Sequence, residues 1–200
     1  MTIVPEDDRW LKLAPIRIGL LGMEMPRFDR EIRMAFDEGI EKGLLDRRYE
    51  LIYEDEAGLP QGTAFGGVQG FDRLVDAGCL VVIGANYTDS AVALTDRANE
   101  RRIPLVSMCG TDQFHGEYCF RLGNGDVGID PMLIVTWMVR NGHKTAAVLA
   151  PWSPISEEYF RFFREICRRY GVSIAAIEQT NNSTTASELA SKFSKLRDAN

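Results

Sequence analysis

The chain has 200 residues, 45% hydrophobic and 26% charged, with a formal net charge of −6. That is the make-up of a globular protein of one large or two small domains. The negative balance, with basic residues only in pairs such as Arg47-Arg48, Arg101-Arg102 and Arg168-Arg169, excludes nucleic acid as the main partner. No apolar run approaches the roughly 18 residues of a membrane span. Met1 to Trp10 is acidic and lacks the apolar centre of a secretory signal, so either the protein is cytoplasmic or a signal lies outside the chain.

From Pro15 to Ser107 the sequence repeats strand, helix, strand. Ile16–Gly22, Tyr49–Asp55, Cys79–Gly84 and Ile103–Ser107 are apolar runs of strand length. A helix is predicted over 27–43, with Ile32, Phe36, Ile40 and Leu44 on one face and Gly43 as its stop. A second runs over 62–77, with Phe65, Val68, Leu74 and Val75 inward and Gly78 closing it. A third runs over 89–100, with Ala91, Leu94 and Ala98 inward and Thr88 or Asp89 as its cap. The alternation demands a parallel sheet covered by helices.

After Ser107 the rhythm breaks. Residues 108–118 are polar and loop-like, and Cys119–Leu122 is a short strand. Asp126 caps a helix whose apolar face is Ile134, Trp137 and Met138. Then the motif restarts with a strand over 144–150. A helix follows over 154–170, opened by Ser153-Pro154 and striped by Tyr159, Phe162, Ile166 and Tyr170. A strand over 172–178 comes next, and then a capping box, Thr185-Ala-Ser-Glu188, opens a helix with Leu189, Phe193 and Leu196 inward. The expected organisation is an extension over 1–14, an α/β lobe over 15–124, and the start of a second α/β lobe over 125–200. Two strands are few for a sheet buried on both faces, so the second lobe is expected to be incomplete in this chain.

Function is expected where the strands end, because open α/β sheets bind ligands beyond their carboxyl edges. There Thr88 and Ser90 place hydroxyls at the first turn of a helix, and Thr111 adds another from the neighbouring strand end. A helix start offers unpaired N–H groups and partial positive charge. Thr88 or Asp89 also serves as an ordinary helix cap, and the two roles stay open. Tyr87 and Trp152 each serve equally as a stacking surface for a ligand or as a plug. Glu24 either pairs with a ligand cation or is a solvated loop charge.

Gly123-Asn-Gly-Asp-Val-Gly128 matches G-x-G-x-x-G, but the strand before it is short. The acidic ribose partner about twenty residues on is missing, so a crossover turn is favoured over a dinucleotide site. Cys109, His115 and Cys119 lack a fourth ligand at zinc spacing. No carboxylate pair, Walker loop or G-x-S-x-G elbow stands out. No cofactor, no metal and no enzymatic activity is therefore expected. The four cysteines, 79, 109, 119 and 167, form no C-x-x-C, and a Cys109–Cys119 bridge is left open.

The ordered set Ile16–Gly22, Tyr49–Glu56, Leu74–Gly78 with Val81–Gly84, Ile103–Ser107, Phe120–Leu122 and Lys144–Leu149 resembles the type I periplasmic binding proteins of the leucine/isoleucine/valine-binding branch. The likeness runs over about residues 15–200. It implies a two-lobed α/β clamshell that captures a small solute, an amino acid or a related amide or amine, in the cleft between lobes. It also implies delivery to an ABC permease of the inner membrane and a periplasmic location.

Carried over by position, the resemblance places the loops 22–25, 86–90 and 107–111 at the ligand. That assigns contacts to Glu24, Tyr87, Thr88, Asp89, Ser90, Cys109, Gly110 and Thr111, with Cys109 and Thr111 where relatives meet the amino-acid carboxylate or ammonium. Trp152 stands where relatives often have a tyrosine. Two departures bear on the ligand. Asp89 puts a negative charge among positions that usually carry hydroxyls, and Met23-Glu-Met25 replaces a Pro- and Ser-rich loop. Both favour a neutral, amide-like or cationic ligand over an anion. The alternatives are a cytoplasmic sensor on the same fold and, behind it, a dinucleotide-dependent enzyme.

Overall fold

The computed structural model describes residues 13–22, 25–56, 64–123, 125–181 and 183–199. The chain divides after Gly123 into two compact units. In the first, β1 (Ile16–Leu21), β2 (Tyr49–Glu54), β3 (Val81–Ile83), β4 (Leu105–Ser107) and β5 (Cys119–Arg121) form one parallel sheet in the order β2-β1-β3-β4-β5. The chain builds outward from β1 to β2, then crosses to β3 on β1's other side. The crevice at this reversal, beyond the ends of β1 and β3, is the natural ligand position of such a sheet.

Helices α1 (Asp29–Glu41), α2 (Ala64–Asp76) and α3 (Thr88–Arg101) connect the strands. Ile18, Leu20 and Leu21 of β1 are buried, and Phe71, Leu74, Val82, Ala91, Leu94, Ala98 and Leu105 complete the core. Small residues let α2 and the sheet close up: a side chain at Gly19 would press Leu74 at 3.0 Å, and one at Gly70 would meet Leu21 at 2.7 Å. On the outer side Arg97 of α3 makes a two-pronged pair with Asp72 of α2, at 2.8 and 3.0 Å, and Arg101 adds a third bond to the same carboxylate at 3.2 Å. Bidentate geometry gives such a network more orienting power than isolated surface pairs have.

The second unit holds α4 (Ile129–Arg140), β6 (Thr145–Pro151), α5 (Pro154–Tyr170), β7 (Ser173–Thr180) and α6 (Ala186–Asp198). Among the described residues its sheet is the parallel pair β6-β7. The core is small: Val135, Ala146, Phe163, Cys167 and Val172. Ser153 caps α5 by accepting the Ser156 amide, and the Thr185–Glu188 capping box opens α6. No helix among the described residues is long and apolar enough to cross a membrane.

Several helix faces differ from the sequence expectation. Phe65 is exposed, and Phe71, six residues further along the helix, is buried in its place. Leu44 is exposed because Gly43 takes a positive φ of 66° and reverses the chain. Leu45 then packs beside Gly39. In α4 the inward residues are Pro131 and Val135, whereas Ile134 and Trp137 face outward, Trp137 stacking on His143. In α5 the buried line is Glu158, Phe163 and Cys167, one step round from the Tyr159–Phe162–Ile166 stripe, and Tyr170 is exposed. Phe193 of α6 is likewise exposed, while Leu196 is buried.

Candidate functional site

The site is built on the segment joining β3 to α3. Gly84 donates its amide to the Val106 carbonyl at 2.9 Å and has a φ of 133°. A β-carbon there would lie 1.9 Å from the Leu21 carbonyl oxygen, so only glycine lets β3 end this close to β1. The next residue, Ala85, is held from the β4 side: the buried Ser107 hydroxyl donates to its carbonyl at 2.9 Å and also accepts the Cys109 amide at 3.2 Å. Asn86 is held from the β2 side, where its amide donates to Glu56 Oε1 at 3.1 Å. Three successive residues are thus tied to their surroundings, the first two to β4 and the third to the residue that follows β2. The helix they lead into starts at a fixed place.

Beyond them Tyr87, Thr88 and Asp89 are half-buried at the start of α3, and Ser90 is buried. The expected cap differs: the N-cap residue is Tyr87, with no side-chain cap bond. Thr88 and Asp89 already lie inside the helix, and a carboxylate from β2's end, Glu56, takes the amide ahead of it. On the β4 side Cys109 and Thr111 are buried and Gly110 is half-buried. The Thr111 hydroxyl accepts the Gln113 amide at 3.1 Å, and its carbonyl accepts from Arg121 at 3.3 Å. Burial pushes the Cys109 thiol upward, opposed by the Ser107 hydroxyl, so it stays protonated and unreactive. All four cysteines are free. Tyr87, Thr88, Asp89 and Gly110 therefore form the accessible part of the cluster, with Ser90, Cys109 and Thr111 as its floor.

Glu24 lies outside the described residues. Trp152, in the second unit, is 73% exposed just beyond β6, its amide bonded to the Thr180 carbonyl at 2.8 Å. At the glycine motif, Asp126 Oδ1 accepts the Gly128 and Ile129 amides at 2.8 and 3.2 Å. The start of α4 is thus filled by the protein's own carboxylate, where a pyrophosphate would otherwise sit.

The group that sequence reasoning left without a role is Glu56. It is fully buried at 0% exposure, and its Oε2 has no hydrogen-bond partner among the described residues. Burial pushes its carboxyl up to about 7, against the pull of the Asn86 and Tyr87 amides and the Ser90 hydroxyl. The signal was an acid directly after a strand and opposite a helix start, which does not reveal burial. A folded-state value above the unfolded one means stability that is present below pH 4.5 and is lost as the pH rises to about 7. The loss is on the order of 3 kcal/mol. Wild type is therefore expected to lose more thermal stability between pH 5 and 8 than Glu56→Gln. Parallel melting curves for the two proteins across that range would contradict the burial of an ionisable group here.

The chain matches the periplasmic binding protein family over residues 18–200 and belongs to it. No curated protein matches it in sequence. Among solved structures, an ABC transporter substrate-binding protein from Sphaerobacter thermophilus superposes with a TM-score of 0.73 at 19% identity, covering 93% of this chain and 52% of that one. A solute-binding protein from Rhodopseudomonas palustris, in complex with 3,4-dihydroxybenzoic acid, gives 0.74 at 20% identity, covering 92% and 52%. A leucine-binding protein from Thermotoga maritima gives 0.70 at 15% identity, covering 91% and 54%. The fold is thus the type I periplasmic-binding-protein fold, and the chain spans about half the length of these structures. The family and the matched structures are binding proteins, not enzymes.

Proposed function

We propose that the protein captures a small solute for an ABC importer on the periplasmic side of the inner membrane, and that Tyr87, Thr88, Asp89 and Gly110 form the first unit's share of the solute site. What carries this is the half-exposed Tyr87–Asp89 stretch at the start of α3, held from β4 and from the end of β2 at the crevice where this fold takes its ligands. The solutes named for related structures range from leucine to benzoate and dihydroxybenzoic acid, so amino-acid and aromatic solutes both belong in the test. Asp89 favours a neutral or cationic polar group at its own position. Ser90, Cys109 and Thr111 shape the site from below, and Trp152 is the second unit's candidate contact.

A thermal-shift panel of leucine, leucinamide, benzoate, benzamide, spermidine and NAD tests the function. A solute at a hundred times its dissociation constant adds about 2.7 kcal/mol, a shift of roughly 5–10 °C for a protein of this size. One small-solute class is expected to give it. A shift with NAD alone would replace solute capture by a nucleotide-dependent function, and no shift at all would remove the proposal. Thr88→Val is expected to weaken the responding solute about tenfold, the loss of one hydrogen bond. It is a cleaner probe than Thr111→Val, because the Thr111 hydroxyl also holds the Gln113 amide. Unchanged affinity in Thr88→Val would remove that residue from the site.

A further inference from the structure

Glu56 follows β2, lies beneath the segment that carries Tyr87–Asp89, and is closed off from solvent. One oxygen is bonded to the Asn86 amide and the other has no partner among the described residues. Helix α2 closes onto this region through glycines: a β-carbon at Gly70 would press the Asp55 carbonyl at 3.0 Å, and one at Gly67 would touch Ser90 at 3.6 Å. Among the described residues, no positive charge figures among the groups acting on Glu56. Leu21 ends β1, Gly67 and Gly70 face from α2, and Ala85 and Ser90 lie on the β3 side. The charged group acting on Glu56 is its neighbour Asp55, which repels it, and Asp89 lies three residues beyond Asn86 on α3. A carboxylate is thus built into a place at this crevice where a helix start would attract an anion.

We propose that Glu56 is a positioning and specificity-determining residue. It fixes the start of α3 through the Asn86 amide and, when ionised, rejects an anionic solute group at Tyr87–Asp89 in favour of a neutral or cationic one. The solute half of this statement rests on the function proposed above; the positioning half does not. Two like charges sharing one helix start disfavour each other. An anion binding there must therefore leave Glu56 protonated, so anion binding takes up a proton, and a neutral solute of the same shape binds without one. For a group titrating at about 7, linkage makes the anion's dissociation constant rise about tenfold between pH 6 and pH 8.

The test uses the full chain, wild type and Glu56→Gln, which keeps the side chain's shape and mimics its protonated form. First, with glutamate side-chain carboxyls carbon-13 labelled, the resonance missing in Glu56→Gln is followed from pH 4 to 9, and a midpoint near 7 is expected. A midpoint in the ordinary glutamate range would overturn the proposal. Second, amide exchange at Asn86 is read without solute. At least tenfold faster exchange in Glu56→Ala than in wild type is expected, with the Leu20 amide as an internal control for global unfolding. Equal exchange overturns the positioning role.

Third, benzoate and its neutral isostere benzamide are titrated at pH 6 and 8. The tenfold change is expected for benzoate on wild type, less than about twofold for benzamide, and none for benzoate on Glu56→Gln. Benzoate binding that is independent of pH on wild type overturns the selection role. Failure of both compounds to bind, alongside the expected titration and exchange, overturns charge selection while the positioning role stands on the two solute-free measurements. Failure of the whole thermal-shift panel is the separate result that removes solute capture.

Discussion

Gly84→Ala is expected to destabilise the first unit by about 4 kcal/mol or more, at the far end of what single substitutions do. Two independent causes add. The new β-carbon would sit 1.9 Å from the Leu21 carbonyl oxygen and 2.8 Å from its carbon, both backbone atoms that cannot swing aside. A φ of 133° is, besides, a conformation that side-chain-bearing residues rarely adopt. Since whole domains are stable by only about 5–15 kcal/mol, little folded unit should remain under mild denaturing conditions. In urea the midpoint is expected to fall by about 2 M at a typical slope. Gly142→Ala separates the two causes: that glycine also has a positive φ, 78°, but nothing lies within 4 Å of the position a β-carbon would take. It should cost about 1 kcal/mol. Equal effects at the two glycines would mean that β1 and β3 are not this close. Any variant that relaxes Gly84 should also displace Tyr87–Asp89, because the tether runs through Ala85 and Asn86.

Phe71→Ala is the second large effect. Phe71 is fully buried in the core between α2 and the sheet, with Leu21, Leu74 and Val82 in the same cluster. Truncating such a ring costs about 3–5 kcal/mol, part lost transfer energy and part cavity. Phe65, six residues earlier on the same helix, is 65% exposed, and Phe65→Ala should change stability by less than about 0.5 kcal/mol. Chemical denaturation of both variants beside wild type decides it. Similar losses at the two positions would mean that α2 is rotated about its axis from the placement described. A rotated α2 would also carry Gly67 and Gly70 away from Ser90 and Asp55.

These two residues mark how far the sequence could be read. The strands were legible because parallel strands covered on both sides are nearly continuous apolar runs. Ile16–Leu21, Tyr49–Glu54 and Val81–Ile83 all fall within the runs expected of them. So was α3, where Ala91, Leu94 and Ala98 recur at helical spacing and are all buried. Helix caps written in short-range residue patterns, Ser153-Pro154 and Thr185–Glu188, were readable for the same reason: the bonds they make close within three residues.

Where a helix carries apolar residues on more than one side, periodicity defines a broad stripe but not which edge of it meets the sheet. Phe65 against Phe71, Trp137 against Val135, and Phe162 against Phe163 were settled by how each helix rolled onto its neighbours. The site divides in the same way. That Tyr87, Thr88 and Asp89 stand at the start of a helix just beyond a strand end follows from the order of elements along the chain. That Cys109 and Thr111 are sealed beneath them, that Ser107 holds Ala85, and that Glu56 is buried with a proton affinity near neutrality all arise from long-range contacts, such as the bonds 22 and 30 residues apart in sequence, or from the closing of glycine-lined α2 onto the sheet. The sequence by itself determined the α/β alternation, the periplasmic binding protein likeness and the strand ends as the place of binding, because those depend on local pattern and chain order. The tertiary structure alone decided which side chains are available there and which carboxylate lies beneath them, because burial and electrostatics depend on distances that chain order does not contain.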